Sequence, residues 1–152
     1  MTLEHDQVNL PNHPLTNLPN PSIGGWLFVL CGLLLIEQPI STALVASHLL
    51  ALLAIRGLPV ALIVILRLLA TGFGVAAGLA ILGVRPGAVV LARTSLVVSA
   101  AIDLVVYLTP YFPSNRAPGE TPVYVLASLT YHGLWLTYLY RSKRVKATFR
   151  DA

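Results

Sequence analysis

Charge is what this sequence has least of. Of its 152 residues only 11% are Asp, Glu, Lys or Arg, while 56% are hydrophobic and the mean hydropathy is +0.77. A soluble domain carries about 25% charged residues. Apolar runs cover most of residues 23–140. The chain therefore reads as an integral membrane protein with one membrane domain and no stretch long enough for a separate soluble catalytic domain. Cysteine is nearly absent. Cys31 stands alone, which excludes an internal disulfide, a pair of redox thiols and a thiolate metal cage. It lies inside an apolar run and reads as a buried, inert thiol. Lys and Arg are missing from the first 22 residues, MTLEHDQVNLPNHPLTNLPNPS, so the basic n-region of a secretory signal is absent there. That Pro/Asn-rich stretch reads as a flexible cytoplasmic tail. The net charge of +4 comes mainly from helix ends and the C-terminal tail and points to no nucleic-acid partner.

What is present is a set of apolar spans. The first opens at Ile23-Gly24-Gly25-Trp26, where the indole suits a headgroup boundary. Pro39 should kink it, and Gly24–Gln38 is too short for a straight crossing of about 20 residues. A span over 24–46 is expected. Residues 41–56 lack a clean polar stripe, which leaves open a re-entrant segment or a fifth span, but the favoured reading is the kinked end of the first span followed by an outer interfacial helix over 47–56. The second span is 58–84, the third 88–109 and the fourth 123–140. The loop YFPSNRAPGETP reads as a hydrated connection. Arg85, Arg93, Arg141, Lys143, Arg144, Lys146 and Arg150 fall on one side of this arrangement, against Arg56 and Arg116 on the other. That bias puts the C-terminus in the cytoplasm and, with four spans, the N-terminus as well.

The cleanest span contains Arg67. At 1.5 Å per residue it lies about 13 Å below the outer edge of a hydrocarbon core about 30 Å thick. The same arithmetic places Asp103 at about 10 Å, His132 at about 15 Å and Glu37 at about 9 Å. Four ionisable groups from four helices thus share a slab in the outer half of the membrane. Ser95, Ser99, Asp103 and Tyr107 form a polar stripe every four residues, and Ser128, Tyr131, His132 and Trp135 follow on neighbouring turns of the fourth span. An unpaired mid-depth arginine costs about 2.5–3.5 kcal/mol, so a carboxylate partner is expected, Asp103 first and Glu37 second. The cluster Arg67, Asp103, Glu37, His132 and Tyr131 reads either as a structural ion pair that fixes helix register or as a pocket for a small ligand or proton. Arg67, Thr71, Gly74 and Gly78 share a helix face, and Gly74 with Gly78 would let another helix approach closely. The basic tail, Arg141, Lys143, Arg144, Lys146 and Arg150, suits anionic lipid or a docking partner. His48 and His132 do not match in depth as haem ligands, and no spacing specifies a metal. No catalytic residue, metal or cofactor is assigned.

Two segments, Ile23-Gly24-Gly25-Trp26-Leu27 with Gly32-Leu33 and Pro39, and Ser142-Lys143-Arg144-Val145-Lys146-Ala147-Thr148-Phe149, resemble the two ends of a bacterial inner-membrane family catalogued as domain of unknown function 2569. The resemblance covers about residues 22–149, with specific motifs only at its ends. It implies a small four-helix membrane protein with both termini cytoplasmic, and it implies no activity, cofactor or catalytic residue. The expected fold is all-α, a polytopic four-helix bundle. Two functions follow from the pattern: a non-enzymatic accessory subunit or homo-oligomer, or a small oligomeric transporter or proton-coupled carrier using the polar cluster.

Overall fold

The computed structural model describes residues 23–109 and 119–149, apart from the side chains of residues 48, 51, 52 and 56. The N-terminal tail, most of the loop with Arg116, the His48 side chain and Arg150 lie outside the described residues. Within them the chain is helical throughout: α1 (Trp26–Gly32), a π-helical turn (Leu33–Glu37), α2 (Gln38–Arg56), α3 (Leu58–Leu82), α4 (Ala88–Leu108), α5 (Thr121–Arg141) and α6 (Lys143–Thr148). Three stretches, Trp26–Ser47, Leu58–Leu82 and Ala88–Leu108, are long and apolar enough to cross a membrane. The exposed surface agrees: Leu44, Ile55, Leu58, Leu69, Leu108 and Leu134 are each more than half exposed, a pattern suited to lipid and costly in water. The fourth helix, α5, is as long as α4. Its Tyr124, Ser128, Tyr131, His132, Tyr138 and Tyr140 make it more polar, and it is not among those three apolar stretches.

Pro39 does not end the first helix. A proline has no N–H and its ring crowds the carbonyl four residues back. The turn before it widens, and the Gln38 N–H donates to the Leu33 carbonyl five residues earlier. Beyond it α2 runs unbroken for 19 residues. The separate outer helix expected over 47–56 is therefore the end of α2 itself, because neither Gly nor Pro interrupts the chain before Gly57. Gly57 makes the corner alone, at φ 62° and ψ −139°, a conformation open essentially to glycine. Pro59 then starts α3 where its missing N–H is harmless.

At the other end of α3 the Arg85 N–H reaches the Ala80 carbonyl and the Val84 N–H reaches that of Ile81. This is a Schellman closure. Its left-handed position holds Val84, at φ 46°, where glycine is usual.

The helices pack in chain order: α3 lies between α2 and α4, and α5 lies on the far side of α4. Among the described residues α2 and α5 share no interface comparable to these. One apolar cluster, including Leu27, Leu30, Leu34, Ala77, Ile81, Ala92 and Leu96, fills the end near α6. A smaller one, Leu49, Val60, Ile63 and Val106, fills the opposite end. The segment after α5 belongs to the first cluster. Ser142 caps α6 by accepting from the Val145 N–H at 3.3 Å, Val145 is buried, and Phe149 packs beside it. A Cβ on Gly24 would meet Arg144 Nη2 at 3.0 Å. The two segments carrying the family resemblance therefore touch.

Candidate functional site

Between the two apolar clusters lies a layer of polar side chains around a cavity of about 310 Å³. Each helix contributes at the level where its apolar face is interrupted. From the first helix come Glu37, Gln38, Ser41 and Thr42; from α3, Arg67 and Thr71; from α4, Ser99, Asp103 and Tyr107; from α5, Tyr124, Ser128, Tyr131 and His132.

The centre is an ion pair. Arg67 Nη2 donates to Asp103 Oδ1 at 3.1 Å, with the two side chains 15% and 22% exposed. Ser128 Oγ donates to the other carboxylate oxygen at 2.9 Å. His132 is buried, and its Nδ1 lies 2.9 Å from the Ser128 carbonyl and 3.4 Å from Ser128 Oγ. A carbonyl can only accept, so this hydrogen bond places a proton on Nδ1. Asp103, Ser128 and His132 thus form one chain of hydrogen bonds linking α4 to α5, with Arg67 tying it to α3. Tyr131 packs edge-on against His132, with ring centroids 5.1 Å apart.

A second set of contacts joins the first helix to α3 and α4. The Thr42 and Thr71 hydroxyls lie 2.6 Å apart, and Gln38 Nε2 reaches Ser99 Oγ at 3.4 Å. Gln38 also explains Gly74, since a Cβ at that position would fall on Gln38 Oε1. A Cβ on Gly78 would stand 2.9 Å from Leu35 Cγ and 3.3 Å from Leu34 Cβ. The small face of α3 is therefore occupied by the chain's own π-helical turn and the start of α2.

Glu37, second choice as the partner of Arg67, does not pair with it. It is exposed at the cavity rim and, among the described residues, has no ion-pair or hydrogen-bond partner. Three buried polar atoms in the lining are also unsatisfied among the described residues: Gln38 Oε1, Arg67 Nε and the Tyr131 hydroxyl. Buried groups of this kind normally have partners, so each one calls for an explanation. Among the described residues no group of three His, Cys, Asp or Glu side chains could hold a metal ion.

The polar stripe of α4 divides. Ser95 is satisfied within its own helix by the Ala92 carbonyl at 3.0 Å, whereas Ser99, Asp103 and Tyr107 line the cavity. Gln38, Ser41, Thr42 and Tyr124 were not among the expected site residues. The i, i+4 spacing of Gln38 and Thr42 was the available signal, hidden behind the more conspicuous Glu37. Of the basic tail, Arg141, Lys143, Arg144 and Lys146 are exposed and lie away from this cavity. No protein-family model, curated protein or solved structure matches the chain.

Proposed function

We propose that the chain is a four-helix protein of the bacterial inner membrane, with both termini cytoplasmic, whose intramembrane cavity binds a small organic cation for transport or sensing. The observation that carries this reading is the uncompensated carboxylate of Glu37 on the cavity lining. Arg67 and Asp103 cancel each other. Among the described residues, the one carboxylate of the lining without a paired cation is that of Glu37. Three tyrosines, 107, 124 and 131, also line the space, and aromatic faces attract cations. A volume of about 310 Å³ falls at the small end of ligand pockets, about 300–1,000 Å³. The unsatisfied Tyr131 hydroxyl and Arg67 Nε would take up polar substituents of such a ligand.

The accessory-subunit or homo-oligomer reading has less support. It rests only in part on the Gly74/Gly78 face, and Gln38, Leu34 and Leu35 fill that face within the chain. A role resting on the ion pair alone would not need the cavity or the unpaired Glu37.

The test is thermal unfolding of the purified protein in detergent with ethanolamine, choline, tetramethylammonium and, as an anion of similar size, acetate. At least one cation is expected to raise the midpoint, and Glu37→Gln to remove that shift. A cation shift that survives Glu37→Gln, or an equal shift with acetate, would overturn the assignment.

A further inference from the structure

At the opposite end from Glu37's rim, around the turn after α3, a separate groove of about 340 Å³ is lined by Gly87, Val89, Val90, Arg93, Lys146 and Phe149, among others. Its cations are unusual. Arg93 Nη2 donates to the Leu139 carbonyl at 2.8 Å, closing the last turn of α5, and its Cζ lies 4.0 Å from the centroid of the Tyr140 ring. These contacts fix the guanidinium without neutralising it. Among the described residues Arg93 has no carboxylate partner, and its Nε is buried with its N–H unspent. A held, half-buried cation with no counter-ion is expensive in an apolar setting. Lys146 adds a second, exposed charge from α6. The first turn of α4 also borders the groove, and no side chain caps it, so the positive end of the helix dipole adds to the same field. Val89, Val90 and Phe149 make the remaining walls apolar.

We infer that this groove binds the headgroup of an anionic phospholipid, with the phosphate between Arg93 and Lys146 and the start of an acyl chain against Val89, Val90 and Phe149. The combination of charges and walls selects a lipid. A free phosphate would use the cations and leave the apolar walls wet, whereas a phospholipid uses both. The level is right as well: Arg93 lies about 8 Å from the start of α4, within reach of the interfacial region. Basic pockets between helices on the cytoplasmic side are a general means of holding anionic headgroups. The site depends on α6, whose Val145 is buried in the main core, so the C-terminal segment holds Lys146 in place. The inference stands on different residues from the cation cavity and does not depend on it.

The test is native mass spectrometry and thermal unfolding of the full chain in detergent with added phosphatidylglycerol or phosphatidylcholine. Phosphatidylglycerol is expected to remain bound at about one molecule per chain and to raise the unfolding midpoint, and phosphatidylcholine to do neither. Lys146→Gln, on an exposed position, should weaken phosphatidylglycerol binding about fivefold. Lys143→Gln, on the same helix but outside the groove, should leave it unchanged. Equal retention of the two lipids overturns the inference. So does equal weakening by both lysine changes, which would mean diffuse surface attraction. Inorganic phosphate stabilising the protein as well as phosphatidylglycerol does would assign a free-oxyanion site instead and also overturn it. Because Arg93 closes α5, Arg93→Gln is read only after its midpoint without lipid is known, and the lysine pair decides the matter independently.

Discussion

Removing Arg67 and removing Asp103 should not cost the same. The two are joined at 3.1 Å, but their other contacts differ. With Arg67→Leu, Asp103 keeps the Ser128 hydroxyl at 2.9 Å, a bond worth about 1 kcal/mol, and it can take up a proton. With Asp103→Leu, Arg67 loses its sole hydrogen-bond acceptor among the described residues while its Nε is already unsatisfied. A guanidinium cannot escape by deprotonating. Breaking one side of a buried pair costs about 3–5 kcal/mol. The arginine change is therefore placed at about 3 kcal/mol and the aspartate change at about 4 kcal/mol. The double change removes both charges and leaves leucines in contact. It should cost no more than the worse single, a coupling of about 3 kcal/mol. The assay is unfolding in mixed micelles titrated with sodium dodecyl sulfate and followed by tryptophan emission. Trp26 and Trp135 lie edge to face with centroids 6.3 Å apart, so their signal reports separation of the first helix from α5. Additive single costs in the double variant, or an arginine change worse than the aspartate change, would refute the reasoning.

The same unfolding assay ranks three glycines of α3. A Cβ on Gly72 would have nothing within 4 Å, so Gly72→Ala should be neutral or stabilising by up to about 1 kcal/mol. Gly74→Ala displaces the far end of the Gln38 side chain and its contact with Ser99, at about 1 kcal/mol. Gly78→Ala presses on Leu35 Cγ and Leu34 Cβ, atoms held close to the backbone, and should cost about 1–3 kcal/mol; a reversed order for Gly74 and Gly78 would count against the packing described. Val84→Gly should raise the unfolding midpoint. It relieves about 1–2 kcal/mol of left-handed strain and gives part of that back as chain entropy, and an unchanged or lower midpoint would contradict the strain at φ 46°.

Helix periodicity and depth made the level of the polar layer legible. Arg67 and Asp103 lie on consecutive helices joined by a short turn, so counting residues back from that turn sets their relative height. The stripe Ser95, Ser99, Asp103 and Tyr107 follows from helix geometry alone. Three features were not legible. The rim position of Glu37 depends on the π-helical turn ahead of Pro39, and hydropathy carries no sign of a wider turn. The length of α2 was obscured because its second half is neither clearly amphipathic nor uniformly apolar, while the true stop signal is the single Gly57. Charge dominates the sequence of the segment after α5, yet its position is set by Val145 and Phe149, two apolar residues among many basic ones.

The two apolar clusters bound the polar layer unequally, and this sets which wall of the cavity is least tied down. The larger cluster draws on α1, the π-helical turn, α3, α4, α5 and α6, so at that end of the cavity α5 is tied to the first helix and α3 as well as to α4. The smaller cluster draws on α2, α3 and α4, through Leu49, Val60, Ile63 and Val106 with Val45, Val64, Ile102 and Tyr107, and among the described residues α5 contributes nothing to it. Above the polar layer α5 is held chiefly to α4, by contacts such as the Tyr107 and Tyr124 rings at 6.1 Å. The flank between α2 and α5 is thus the weakest wall of the cavity. Glu37 and Ser41 stand on one side of that flank and Tyr124 and Tyr131 on the other. Widening it requires no separation of α3 from α4, the pair carrying the Arg67–Asp103 bond, and so access to the cavity need not cost the ion pair at its centre.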